Sequence, residues 1–207
     1  NLGNSKLPAQ SRALFQKKLM SRLEALEAQV SDILMYARSG EQSVKCLDAV
    51  DIVEGVSSSV ASVIEKSGAK LTSNIGPRPI KILGNVTALN GAITNLVTNA
   101  IEAGAKNVNI TLEADVANVI ISVCNDGPAI PKNVCEKIFE PFYTTKSNGT
   151  GLGLAVVQSV IRTHMGKIGL VSQEGKGTCF TISIPLHISN KVSNDSSNNN
   201  GGITKAA

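Results

Sequence analysis

Apolar residues recur along this chain with two different periods, and the change of period marks its organisation. From about residue 10 to 38, Leu19, Leu23, Leu26, Val30, Ile33 and Ala37 follow alternating steps of four and three. That is the seam of a helix in a bundle or coiled coil. Gly40 supplies a stop just past Arg38. So narrow a seam cannot be buried by its own helix, which calls for a partner helix, and no second segment nearby has this pattern.

From about residue 43 the pattern becomes that of a mixed α/β domain. Ser43 to Leu47 reads as a short strand. Asp48 caps a helix running to about Lys66, whose buried face carries Ile52, Val53, Val56, Val60, Val63 and Ile64. Pro79 to Leu83 reads as a strand, and Asn85 caps a second helix through about Ala103. Asn107 to Ala114 and Asn118 to Asn125 are two β-rich runs joined by a short turn, hence an antiparallel pair. A loop follows from about Asn125 to Gly149, with a short helix near Lys132 to Phe139. Leu152 to Met165 is predicted helical. Strands near Lys167 to Gln173 and Thr178 to Pro185 flank the Gly175-Lys176-Gly177 turn of a hairpin. After Leu186 the chain is rich in Ser, Asn and Gly, and a disordered tail is expected.

Composition narrows the classes. With 207 residues, 42% of them hydrophobic, the chain can bury one good core. Its net charge of +4 is mild, and its Lys and Arg are scattered, so no nucleic-acid footprint is visible. No apolar run reaches the ~18 residues needed to span a bilayer. No signal-like segment opens the sequence, so no membrane contact and a cytoplasmic location are expected. The four cysteines stand singly, without CxxC spacing, and read as reduced thiols filling a core rather than as disulfides or metal ligands. Two histidines are too few for a His-rich metal site.

The chemistry concentrates in four segments. Asn95 and Asn99 lie i, i+4 on the second predicted helix and so share a face. An amide oxygen is a neutral, hard ligand, which suits Asn99 to one position on a Mg²⁺ otherwise bound by phosphate oxygens and water. Glu102 is one turn beyond. Asn95, also an amide, cannot act as a general base. Taken alone, the two amides read more readily as ordinary polar positions on an exposed helix face. Asp126 ends an apolar strand, where a carboxylate can accept a hydrogen bond from the exocyclic amine of adenine. Gly127 lets the backbone pass close to the base and Ile130 can cover its face. Locally, an Asn-Asp-Gly-Pro turn explains the same residues.

Phe139, Phe142 and Tyr143 gather much of the scarce aromatic content in one loop, either as the apolar anchor of a lid or as a small satellite core. Thr144, Thr145 and Lys146 follow, with a lysine placed to reach a phosphate as a point charge. Gly149, Thr150, Gly151, Leu152, Gly153 and Leu154 directly precede a helix, so their backbone N–H groups and the helix N-terminus favour phosphate. No Lys-Ser or Lys-Thr follows, so this is not a P-loop, and the dinucleotide fingerprint also lacks its strand and acid. Thr178 follows the last hairpin, where a β-prone residue is unremarkable by itself.

In this order and within about 60 residues, these segments resemble the N, G1, F and G2 boxes of the histidine kinase ATPase domain. That domain is a branch of the family shared with Hsp90, type II topoisomerases and MutL. The resemblance implies an α+β fold, a two-layer sandwich of the Bergerat type with a mixed sheet and helices on one face, preceded by one long bundle helix. It implies ATP and Mg²⁺ as ligands, with Asn99 on the metal and the Thr178 hydroxyl at the adenine edge. Ala129 stands where the family has a second glycine in the G1 box, and Asp126 is slightly shifted from the family register.

The resemblance implies three segments: residues 1–40 as part of a dimerisation and phosphotransfer bundle, 41–187 as the catalytic domain, and 188–207 as tail. A phosphoacceptor His is expected on a bundle helix, yet His164 and His187 are the only histidines and neither has that context. The expectation is therefore a piece without its acceptor helix, unable to phosphorylate itself, with no catalytic side chain of its own. The full protein would be a homodimer passing phosphate to the receiver domain of a response regulator. The compact lid looks like that of the nitrogen- and flagellar-regulatory sensor kinases. Two alternatives stay open, a hydrolytic ATPase of the Hsp90 or MutL kind and a degenerate module kept for partner binding.

Overall fold

Two side-chain caps start the main helices. In the computed structural model, which describes residues 11–16, 18–20, 44–146 and 149–187, strand β1 (Lys45–Asp48) runs straight into helix α1 (Ala49–Ser67). Asp48 Oδ1 accepts the Val50 N–H at 3.2 Å and also the Ile80 N–H at 3.2 Å. One carboxylate thus caps the helix and ties it to the backbone just before the strand Lys81–Gly84, a contact of the kind that contributes about 1 kcal/mol. Gly68, at φ +67, ends α1 in the left-handed conformation that favours glycine. Helix α2 (Val86–Glu102) begins at Asn85, whose Oδ1 accepts the Ala88 N–H at 2.9 Å.

The remaining elements are β2 (Lys70–Ile75), β3 (Lys81–Gly84), β4 (Asn107–Ala114), β5 (Asn118–Asn125), the single-turn α3 (Lys132–Cys135), α4 (Gly153–Thr163), β6 (Lys167–Gln173) and β7 (Gly177–Pro185). Five strands form a mixed sheet in the order β2-β4-β5-β7-β6, in which only β2 and β4 are parallel. Strict alternation sends Val108, Ile110 and Leu112, then Val119, Ile121 and Val123, then Phe180, Ile182 and Ile184 into the core. Their neighbours Thr111, Ser122, Thr181 and Ser183 lie on the other face, part-exposed. Helices α1, α2 and α4 pack side by side on the apolar face, giving the expected two-layer α+β sandwich. Strands β1 and β3 pair antiparallel at one end, and Ile82 bridges to Leu186 just past β7.

Strand β2 was not expected. Its sequence, Lys-Leu-Thr-Ser-Asn-Ile, has almost no apolar face, because it is an edge strand held by its parallel ladder to β4. Residues 11–16 and 18–20 are helical and exposed. The rest of the helix anticipated from residue 10 to 38 and the tail anticipated after residue 187 lie outside the described residues. One expectation about the cysteines is corrected. Cys124 and Cys179 are directly opposed in the β5–β7 ladder and joined by a disulfide, whereas Cys46 and Cys135 are free. The two bonded residues are 55 positions apart, so only strand register reveals the pair.

His164, buried at the end of α4, is structural. Its Nε2 accepts the Asn85 N–H at 2.9 Å, which makes Nδ1 the protonated nitrogen that donates to Val160 O at 2.7 Å. The ring thereby locks the end of α4 onto the start of α2. No helix among the described residues is long and apolar enough to cross a membrane.

Candidate functional site

Helix α2 presents two stripes. Leu89, Ile93, Leu96 and Val97 are buried in the core, while Asn95, Thr98, Asn99 and Glu102, at steps of three, one and three, line a cavity of about 740 Å³. The cavity lies between this stripe, the ends of β5 and β7, the loop after β5, and residues 143–146 and 149–154.

Its lining divides by chemistry. One end is mostly apolar, formed by Pro128, Ile130, Val134, Ile138 and Phe180, with Asn125 and Thr178 as its polar groups. Phe139 stacks edge-on against Phe180, with ring centroids 6.3 Å apart, and so stiffens this wall from behind. The other end holds the Asn stripe, Thr144, Thr145, Lys146, and the glycines 149, 151 and 153. The first turn of α4 opens there without a side-chain cap, since its N-cap is Leu152. Its free N–H groups and positive dipole end favour an anion.

The amides of α2 are fixed in orientation. Asn99 Nδ2 donates to Asn95 Oδ1 at 2.7 Å, which leaves Asn99 Oδ1 facing Lys146, whose Nζ lies 2.8 Å away. The same ammonium pairs with Glu102 Oε2 at 2.5 Å. A cationic group thus already rests on a neutral oxygen and a carboxylate, and this donor set fits one face of a divalent cation whose remaining ligands are phosphate oxygens and water. Asn95 serves to hold Asn99. Gly153 makes that possible, because a Cβ there would come within 2.8 Å of Asn95 Nδ2. Gly149 does the same for the lid, where a Cβ would sit 3.2 Å from Lys146 Cβ. The Phe142 N–H donates to Gly151 O at 2.9 Å, which pins the lid to the glycine loop.

Of the anticipated residues, Asn95, Asn99, Ile130, Thr144, Thr145, Lys146, Gly149, Thr150, Gly151, Gly153, Leu154 and Thr178 line this one cavity. Four do not. Leu152 is buried beneath it, Phe142 is 75% exposed at φ +68, and Gly127 packs on Ala105. Asp126 is turned away from the cavity. Its carboxylate accepts the Lys106 and Asn107 N–H groups at 2.8 and 2.9 Å and the Asn107 side-chain amide at 2.7 Å. Those bonds, the Asn107 N–H foremost, lower its pKa below the ordinary value. It closes the turn between α2 and β4 rather than meeting a base.

Asn125 stands in the cavity instead. The signal was in the sequence: Val119, Ile121, Val123 and Asn125 share one parity along β5, so Asn125 faces the core side and Asp126 does not. Tyr143 and Phe180 also line the cavity and were not assigned to it beforehand. Phe180 follows Thr178 by two along β7, and the same rule finds it.

A family model described as histidine kinase-, DNA gyrase B-, and HSP90-like ATPase matches residues 84–188. The chain is 34% identical over 170 residues to sporulation kinase A of Bacillus subtilis, covering 81% of this chain and 28% of the relative's length. It is similar to full-length ShkA in complex with AMPPNP, with TM-score 0.74 and 26% identity over 91% of this chain and 41% of that one. It is also similar to the histidine kinase ThkA crystallised with the response regulator TrrA, with TM-score 0.66 and 28% identity over 88% of this chain and 52% of that one.

Proposed function

The chain belongs to the histidine kinase-, DNA gyrase B- and HSP90-like ATPases and carries the ATP-binding catalytic domain of a sensor histidine kinase; from that premise we propose that its cavity holds Mg²⁺-ATP and presents the γ-phosphate to a histidine outside the catalytic domain. The observation that carries this reading is the oriented Asn95–Asn99 pair facing the glycine loop and Lys146 across one cavity. Asn99 Oδ1 would hold the metal, and Lys146 would move from Asn99 to the phosphate charge. The base would occupy the apolar end. The bound metal neutralises phosphate charge, while the protein's contribution is positioning and electrostatics.

Hydrolysis is the disfavoured reading. Among the described residues lining the cavity, Glu102 is the one carboxylate, and it is engaged by Lys146. Asn95 has no basic atom to offer a water, and its amide oxygen is occupied by Asn99. His164 is buried with both ring nitrogens bonded and His187 does not line the cavity, which supports the proposal that these 207 residues bind ATP without phosphorylating themselves.

We extend the proposal to the surroundings. Residues 1–40 act as a helix of a dimerisation and phosphotransfer bundle in a homodimer, residues 41–187 as the catalytic domain, and 188–207 as a tail. Phosphate passes from the histidine to an aspartate of a response regulator, which places the domain in the cytoplasm, where ATP and regulator meet. The helical geometry of residues 11–16 and 18–20 and the ThkA–TrrA likeness support this. Kinship with the nitrogen- or flagellar-regulatory kinases rests on the compact lid alone.

Calorimetric titration with a non-hydrolysable ATP analogue tests the site. Binding in the micromolar range that requires Mg²⁺, and that loses its Mg²⁺ dependence in Asn99→Ala, is expected. Absence of binding, or a variant indistinguishable from the native chain, would overturn the proposal.

A further inference from the structure

Asn125 and Thr178 are opposed in the β5–β7 ladder and bring the polar side chains to the apolar end of the cavity. The orientation of the Asn125 amide is set on both sides. Its Oδ1 accepts the Gly127 N–H at 2.9 Å, and its Nδ2 donates to Thr178 O at 3.1 Å. Exchanging the two atoms would oppose two donors on one side and two acceptors on the other. One Nδ2 hydrogen and one Oδ1 lone pair remain for a ligand. The Thr178 hydroxyl is 2.7 Å from Ser172 Oγ, which also accepts the Ile130 N–H at 2.8 Å. These hydroxyls rotate, so each can give or take a hydrogen bond. Gly177, at φ +83, lets the backbone lie against the Asn125 carbonyl, so the residue is held from behind as well.

The recognition end of this cavity is therefore neutral and two-way, since among the described residues no carboxylate lines it and the adjacent Asp126 points elsewhere. A carboxylate only accepts, and it would select a base edge bearing an amine while repelling one bearing a carbonyl oxygen. The fixed amide can meet either 6-substituent through a single bond, its Oδ1 lone pair taking a 6-amino group or its free Nδ2 hydrogen a 6-oxo group, while the rotatable Thr178 hydroxyl is left to serve N1. We infer that Asn125 makes this site tolerant of the purine 6-position, so that 6-oxopurine nucleoside triphosphates bind alongside ATP. The inference rests on the nucleotide reading above.

The test is displacement of a fluorescent trinitrophenyl-ATP from the full chain by ATP and by inosine triphosphate, which differ only at the purine 6-position and N1. On the native chain the two affinities are expected to agree within about tenfold, because no buried polar group is left unpaired by either base. In Asn125→Asp the preference for ATP is expected to widen by about tenfold or more. ATP displacing the probe while inosine triphosphate is ~100-fold weaker on the native chain overturns the tolerance and leaves the nucleotide site standing. An unchanged ratio in a folded Asn125→Asp overturns the role of Asn125. Failure of both nucleotides to displace the probe overturns the nucleotide reading and this inference with it.

Discussion

Gly151→Ala tests whether the lid and the glycine loop must touch for nucleotide to bind. Gly151 adopts φ +68, and a Cβ added there would fall 2.6 Å from Phe142 O and 2.7 Å from Phe142 Cα. The obstacle is backbone, which has no rotamer to turn aside, so loop and lid must part by ~1 Å to reach ordinary contact. The left-handed conformation itself costs a Cβ-bearing residue about 1–2 kcal/mol. Gly175→Ala is the control. At φ +74, with nothing within 4 Å of the added Cβ, it carries the conformational cost without the crowding. Both variants are expected to melt about 3–8 °C below the native chain. Only Gly151→Ala is expected to lose affinity for the Mg²⁺-bound ATP analogue, by about tenfold or more, since displacing a binding group by ~1 Å can cost up to ~10²-fold. Calorimetry beside thermal denaturation reads both quantities. Equal affinity in the two variants would refute the argument that this contact shapes the site.

Lys146→Ala is expected to weaken analogue binding by about fivefold to tenfold while leaving the melting temperature within about 2 °C, because its ion pair with Glu102 is solvent-exposed; a large drop in melting temperature with unchanged affinity would contradict the assignment. Asp126→Asn is expected to leave analogue affinity unchanged and to lower stability at neutral pH. Because the folded pKa of Asp126 is depressed, its contribution is present above the ordinary carboxyl value and fades as pH falls through the folded one. Urea midpoints of the native chain and the variant should therefore converge in acid, and a gap that persists there would show another origin. His164→Ala removes the buried ring with its hydrogen bonds to Asn85 and Val160 at the junction of α2 and α4 and is expected to cost about 2–4 kcal/mol, as lost hydrogen bonds plus a cavity. Chemical denaturation measures it, and a loss below about 1 kcal/mol would count against the structural role.

Much of the fold was legible because its signals are local. Asp48 and Asn85 announce the two long helices through bonds that span only two or three residues. Alternation along β4 and β5 reports burial on one face, and here both strands run as anticipated, Asn107–Ala114 and Asn118–Asn125. The Asn95–Asn99 pair and the glycine loop were equally readable, because helical spacing and glycine content are chemical statements in themselves. Strand β2 was not, since its polar residues gain stability from a ladder with β4, more than 30 positions away.

The site shows the same division more sharply. Two adjacent polar residues, Asn125 and Asp126, differ in which face of the sheet they serve, and charge pointed to the wrong one. Parity along β5 favoured Asn125, but only the turn that binds Asp126 to Asn107 shows where the carboxylate goes. The disulfide between Cys124 and Cys179 likewise exists only because β5 and β7 pair in that register. What neighbours in sequence can satisfy, such as caps, periods and turns, the sequence by itself determined. Strand order, the direction of a side chain at a strand's end, and the meeting of distant groups needed the tertiary structure, because each depends on contacts between segments far apart in the chain.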